Sequence, residues 1–248
     1  MAPPPILPSY RRSEMNQDIT LSDLRIMQHA VQYREWLLSQ VQPFVGKRIL
    51  EVGAGIGNYT EFLVDRELVV CLEIHDEAVR SLRERFATYP NIIVRHGDIA
   101  DESVTELAAS RFDTVLCFNV LEHVRDDLRA LQHAHYVLVT GGTLLLIVPA
   151  VPAVMGTVDR SLGHYRRYRP RTLAAVVGDA GFSIHDMRFM NSLGLLGWLW
   201  NNRIARRREE SAAQITFYSR LIVPWLSLLE RLVRPPIGLS LVCIAHRR

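Results

Sequence analysis

Apolar and polar positions fall in short alternating blocks along this chain. Apolar runs at Arg48–Glu51, Val69–Glu73, Ile92–Val94, Thr114–Phe118 and Thr143–Val148 are each bounded by polar or turn-forming residues. Runs of this length read as buried strands. Between them the period turns helical: after Asn58, over Asp76–Tyr89, briefly near Val104, and over Asp126–Leu138. Strands separated by helices imply right-handed crossovers and a parallel sheet. Arg171–Ala180 predicts a further helix ending at Gly181, and Ser183–Met190 and Gly238–His246 predict two more strands. The expected fold is α/β, a doubly wound sheet of seven strands. Ahead of it, Leu21 to about Val41 predicts a helix capped by Ser22, with Leu24, Met27, Val31, Trp36 and Leu38 near one face.

Residues 1–19, proline-rich and then polar, are expected to be disordered, which leaves 20–248 as one domain. Two segments exceed what the fold needs: 149–170 after the fifth strand, and 191–236 between the last two. Connections of this length in a compact domain usually serve a ligand. Both leave or recross the carboxyl edge of the sheet, where open α/β folds bind ligands. They are expected to be lids over an acceptor.

The densest motif is Glu51-Val-Gly-Ala-Gly-Ile-Gly57, between the first strand and a helical stretch. Glycines here let backbone amides approach a ligand that side chains would block. The dinucleotide fingerprint requires glycine at position 58, where this chain has Asn58. A carboxylate at Glu51 suits an ammonium or sulfonium better than a pyrophosphate. Glu73 ends the second strand, twenty residues beyond Gly53. An acid there accepts hydrogen bonds from ribose hydroxyls in doubly wound sheets; a solvated strand-end acid is the alternative. Gly97-Asp98-Ile99 follows the third strand, and Asn119-Val-Leu-Glu-His-Val124 follows the fourth.

Taken in order, these four motifs resemble those of class I S-adenosylmethionine-dependent methyltransferases over roughly residues 30 to 190, in particular a small-molecule branch with N-x-L-E-H and G-H-Y-R-R-Y signatures. The resemblance implies a Rossmann-like, mostly parallel seven-stranded sheet whose last strand is inserted antiparallel beside the fifth. It also implies S-adenosyl-L-methionine as cofactor, held by Glu51, Gly53, Gly55 and Gly57, by Glu73 and Ile74 at the ribose, by Asp98 and Ile99 at the adenine, and by Asn119 and Leu121 beneath it. In the family the helix before the first strand covers the cofactor, so Tyr33 is expected to close that site or to pack within the helix.

The composition is that of an ordinary globular protein, 48% hydrophobic and 22% charged, and the net charge of +3 does not by itself indicate nucleic acid. Cys71, Cys117 and Cys243 each lie in a predicted buried strand and read as reduced core thiols, without a disulfide frame or a metal site. The apolar stretch Leu193–Trp200 is far shorter than the roughly 20 residues a membrane span needs. With no signal peptide evident, the expected location is cytoplasmic.

A hydroxyl or ammonium acceptor must lose a proton on methylation, and histidine is the usual base. His123 closes the Asn119 motif, where it serves as base or anchors the next helix. His164, in Gly163-His-Tyr-Arg-Arg-Tyr168, is the first choice. Arg166, Arg167 and Arg169 suit a carboxylate or phosphate on the acceptor or form an unspecific surface cluster, and Tyr165 and Tyr168 either stack a ring or simply pack. The second insertion mixes Trp198, Trp200, Phe217, Tyr218 and Trp225 with arginines. That mixture suits a hydrophobic acceptor with an anionic end, an interfacial helix on a membrane, or a homodimer interface. O- or N-methylation of a natural-product, sugar- or lipid-like small molecule is the leading expectation. C-methylation of an isoprenoid or acyl chain, or cofactor binding without catalysis, are the alternatives. A nucleic-acid methyltransferase would carry an Asn/Asp-Pro-Pro-aromatic motif after the fourth strand, and a nicotinamide dehydrogenase a Tyr-x-x-x-Lys pair; Asn119-Val-Leu-Glu stands in the first place, and Lys47 is the lone lysine.

Overall fold

The computed structural model describes residue 22 and residues 24–200 and 212–248. The expected disordered tail lies outside the described residues, as do Arg203, Arg206, Arg207 and Arg208. Seven strands form one sheet: β1 (Arg48–Val52), β2 (Leu68–Glu73), β3 (Ile92–His96), β4 (Phe112–Phe118), β5 (Leu138–Pro149), β6 (Phe182–Met190) and β7 (Ser240–Arg247). Their order across the sheet is β3-β2-β1-β4-β5-β7-β6. The first five are parallel, and β7 runs antiparallel between β5 and β6. This is the expected doubly wound arrangement.

α-Helices cover the sheet or extend it: α1 (Val31–Ser39), α2 (Asp76–Arg85), α3 (Asp127–Val137), α4 (Thr157–Ser161), α5 (Pro170–Asp179), α6 (Ser192–Leu199), α7 (Ala212–Phe217) and α8 (Val223–Leu232). Strand alternation divides the core into two layers. Leu50, Val70, Val115, Leu144 and Cys243 face α3 and α5. Ile49, Val69, Leu116, Leu145 and Val242 face α1, α2 and α8. With both faces covered, the central strands are apolar at nearly every position, which is why they were recognisable as short greasy runs. Charge placement supports α2, with Asp76 and Glu77 in its first turn and Arg83 and Arg85 in its last.

Two expectations fail. The stretch after Asn58 holds only a 3-10 turn, Thr60–Phe62, and arginine side chains donate to the carbonyls of Ile56 and Asn58 around it. The predicted Leu21–Val41 helix is interrupted at residues 29–30 before α1 begins.

Candidate active site

Strand order reverses between β1 and β4, and open α/β sheets bind ligands in the crevice beyond such a point. The loop after β1 holds Gly53, Gly55 and Gly57 at φ of 67°, 57° and 87°. Beyond that backbone demand, a Cβ at Gly57 would stand 2.3 Å from Phe86 Cε2. Two arginines fix the loop. Arg34 Nη1 donates to Asn58 O at 2.5 Å, and Arg85 Nη1 donates to Ile56 O at 3.0 Å and Gly57 O at 3.1 Å. Both guanidinium groups also pair with Glu61.

Glu73, at the end of β2, is buried and well satisfied. Its Oε2 accepts from the Gly55 N–H at 2.8 Å, and its Oε1 accepts from the N–H groups of Ile74 and His75, each at 2.9 Å. Burial alone would raise this carboxyl, but contacts with His75 and the backbone donors outweigh it and hold it below the usual range. The His75 ring sits 2.9 Å from Oε1, and that hydrogen bond raises its pKa.

Across the crevice, Asn119 takes a left-handed conformation, φ 52°, and its N–H donates to Ile147 O at 2.8 Å. The chain then makes a 3-10 turn, Leu121–His123. This turn delivers Glu122 and His123 to a cavity of about 690 Å³, within the range of roughly 300–1,000 Å³ found for small-molecule sites. Glu122 is buried with its Oε2 unpartnered, and burial pushes its pKa up to about 7. Burial pushes His123 the other way, down to about 3, so its ring is neutral.

The first insertion supplies the group opposite. Asp159 of α4 is fully buried, and its Oδ1 accepts from Arg167 Nε at 2.7 Å and lies 3.1 Å from His164 Nδ1. Its Oδ2 accepts from the Gly156 N–H at 2.8 Å. Despite burial these contacts hold Asp159 below the ordinary carboxylate range. His164 meets His123 edge to face, ring centroids 4.6 Å apart. One ligand atom each from Glu122, His123 and His164 all lie within 4.8 Å of one another.

The second insertion forms the remaining wall. Arg167 stacks on the Trp198 ring at 4.7 Å, and the Trp198 Nε1–H is buried without a partner. Tyr218 Oη donates to Asn191 Oδ1 at 2.5 Å, and Asn191 Nδ2 donates to Tyr33 Oη at 3.2 Å. This chain of bonds fastens the insertion to α1. Glu230 of α8 accepts from the N–H groups of Asn191 and Ser192, 2.9 and 2.8 Å, fixing the start of α6.

A family model described as a methyltransferase domain matches residues 50–144, a span that takes in the glycine loop, Glu73 and the Asn119 motif. Residues 50–144 of the chain thus resemble a methyltransferase domain. A Mycolicibacterium smegmatis protein named a probable S-adenosylmethionine-dependent methyltransferase is 28% identical over 57% of this chain and 54% of its own length. The chain thus spans about half of that relative. A ubiquinone biosynthesis O-methyltransferase of Pseudomonas syringae is 25% identical over 57% of this chain and 67% of its own. A solved S-adenosylmethionine-dependent methyltransferase of Archaeoglobus fulgidus superposes with TM-score 0.60 at 17% identity, covering 89% and 94% of the two chains. Likeness in sequence and in fold to proteins named as S-adenosylmethionine-dependent methyltransferases supports that class for this chain, with S-adenosyl-L-methionine as the cofactor it implies.

The predicted site residues fall into distinct groups. Tyr33, Gly53, Asn119, His123, His164 and Arg167 line the cavity. Gly55, Gly57, Glu73, Ile74 and Asp98 lie along the carboxyl edge beyond its lining, with Ile74 half exposed. The side chains of Ile99 and Leu121 are in the core. Glu51 departs from expectation: its Oε2 accepts from Thr60 Oγ1 at 2.7 Å beneath the loop, and burial raises its pKa to about 7. Three proposed acceptor contacts also fall outside the cavity. Tyr168 is buried with its hydroxyl donating to Asp127 Oδ2 at 2.7 Å; Arg166 pairs with the same Asp127; Tyr165 is 58% exposed. In this hexapeptide the turn faces only His164 and Arg167 inward. Asp159 and Asn58 were missed. Asp159 lies five residues before His164, a spacing that by itself signals nothing. Asn58 lines the cavity with a buried, unpartnered Oδ1, although the sequence marks it only as a glycine that is absent.

Proposed function

We propose that this domain transfers a methyl group to an oxygen of a hydrophobic small molecule, with His164 as the base. The observation that carries the reading is the His164–Asp159 pair presented to a largely apolar cavity beside the glycine loop.

The cradle fits the cofactor. The positive-φ glycines leave room for backbone close to a nucleoside, Glu73 keeps an anionic edge at the ribose position, and the orphaned Asn58 Oδ1 suits an ammonium donor. Bound S-adenosyl-L-methionine supplies an activated methyl group on a sulfonium. Glycine loop amides and Asn119 hold one side of the cavity, and the Leu121–His123 turn the other. Much of the acceleration in such transfers comes from alignment, up to roughly 7–11 kcal/mol. Asp159 orients the His164 ring through Nδ1, which leaves Nε2 to take the hydroxyl proton, and its charge steadies the imidazolium that results. Glu122 Oε2 and the Trp198 N–H offer an acceptor and a donor to the polar end of the substrate. The two insertions act as lids that exclude water.

The acceptor class draws on one further point. The Pseudomonas syringae relative is named for O-methylation in ubiquinone biosynthesis, and a hydroxylated ring with an apolar tail matches a cavity walled by Trp198, Trp200, Phe217 and Ile222. Methyl incorporation from labelled cofactor into a panel of prenylated phenols, hydroxylated aromatics and sugars tests the reading. Turnover of only carbon or nitrogen acceptors would sink the oxygen assignment. A second reading rests on the convergence of Glu122, His123 and His164. There a divalent cation would lower the hydroxyl pKa in place of a base, and loss of turnover on chelation, restored by zinc or magnesium, selects it.

A further inference from the structure

Helix α8 is apolar on two sides. Val223 and Leu226 face inward, buried against the sheet. Trp225, Leu228, Leu229 and Leu232 recur at the spacing of one helical face, and they are 74%, 55%, 56% and 78% exposed. Phe217 and Leu221, each more than half exposed, continue this stripe toward the N-terminus, and Val233 extends it beyond the helix. Soluble surfaces rarely carry so contiguous an apolar face without a partner.

Two more observations say what covers it. The flanking charge is basic: Arg220 and Arg231 are exposed beside the stripe, whereas the one acid of α8, Glu230, is spent on the start of α6. The whole 191–236 segment carries seven arginines against three glutamates. The cavity also opens here, since Trp200 and Phe217 both line it and are 58% and 59% exposed. No helix among the described residues is long and apolar enough to cross a membrane.

We propose that the outer face of α8, with Phe217 and Leu221, docks on an anionic lipid bilayer and sets the mouth of the cavity against it. Apolar side chains enter the acyl boundary while the arginines meet lipid phosphates. A second copy of the chain fits the apolar stripe less well, because a two-fold contact would bring Arg220 and Arg231 of both copies together at one interface. Vesicle binding stands independently of the methyl-transfer reading; only the delivery of acceptor through the bilayer rests on it.

The experiment is sedimentation of the full chain with vesicles of phosphatidylcholine alone or mixed with phosphatidylglycerol, alongside analytical ultracentrifugation without lipid. Binding is expected to strengthen on the order of tenfold or more with phosphatidylglycerol and to weaken in high salt. Leu228→Glu with Leu232→Glu should abolish it, and Arg220→Ala with Arg231→Ala should weaken it on the order of tenfold. Cofactor affinity by calorimetry should be unchanged in both double variants, which separates this test from failure of the methyltransferase reading and from misfolding. Absence of vesicle binding overturns the proposal, as does a lipid-free dimer that the glutamate variants dissociate. Equal binding to both vesicle types removes the anionic part.

Discussion

The proposed cofactor end and acceptor end of the crevice treat buried carboxylates in opposite ways. At the cofactor end Glu73 has donors from Gly55, Ile74 and His75 already in place, and it is held ionised. At the acceptor end Glu122 is as deeply buried, yet its Oε2 has no partner, and its pKa is pushed up to about 7. Preorganisation accounts for the first arrangement: a charged edge whose shape is fixed before the ligand arrives costs little to use. The second is incomplete without substrate. A buried polar atom left unpaired costs roughly 1–3 kcal/mol, and a substrate hydroxyl that meets it recovers that cost as affinity and specificity.

If this contrast is right, the largest single effect belongs to His164 at the acceptor end. His164→Ala should lower kcat by about 10²–10⁴-fold while cofactor affinity holds. Steady-state kinetics with calorimetry checks the split; a parallel loss of cofactor affinity would make His164 part of the scaffold. Asp159→Ala comes next, and its effect is on stability. It leaves the Arg167 guanidinium, 1% exposed, as an uncompensated buried charge, at about 3–5 kcal/mol. An unchanged urea midpoint would show that Arg167 does not depend on Asp159 for its burial.

Legibility follows the same division. The parallel core could be read directly because strands covered on both faces must be apolar throughout, as in Leu144–Val148, and the glycine loop because its positive-φ positions admit few other residues. At the acceptor end the readable units were single residue types without a period. Tyr168 and Arg166 had the chemistry of substrate contacts, but which side of an irregular turn faces inward depends on long-range partners such as Asp127. Asp159 was invisible for the same reason. Glu51 differs again: it lies in the right motif, but its side chain accepts from Thr60 beneath the loop, a partner the motif does not reveal.

Glu73 tests the preorganised end. Glu73→Ala removes the ribose acceptor and the bond that shapes Gly55, so cofactor affinity should fall about 100-fold, close to 2.7 kcal/mol. Turnover at saturating cofactor should be far less affected. Calorimetry reading a loss of less than about threefold would mean that the loop holds its shape, and its ligand, without this carboxylate.

The smallest expected effect discriminates most finely, because it concerns a carboxyl that lies in the cofactor motif but does not touch the cavity. Burial raises Glu51 from 4.5 to about 7. Above pH 4.5 the unfolded chain releases this proton while the folded chain keeps it, so stability falls as pH rises, and the fall levels off beyond about 7. Glutamine has no proton to release, and its amide oxygen can still accept from Thr60. Glu51→Gln should therefore gain progressively on the wild type across that window, with little advantage below pH 4.5. Cofactor affinity should change by less than about threefold. Denaturation midpoints at several pH values, paired with calorimetry, separate the two properties. A large affinity loss without the pH-dependent gain would place the Glu51 carboxylate on the ligand after all, and the cofactor end would then be as unfinished before binding as the acceptor end.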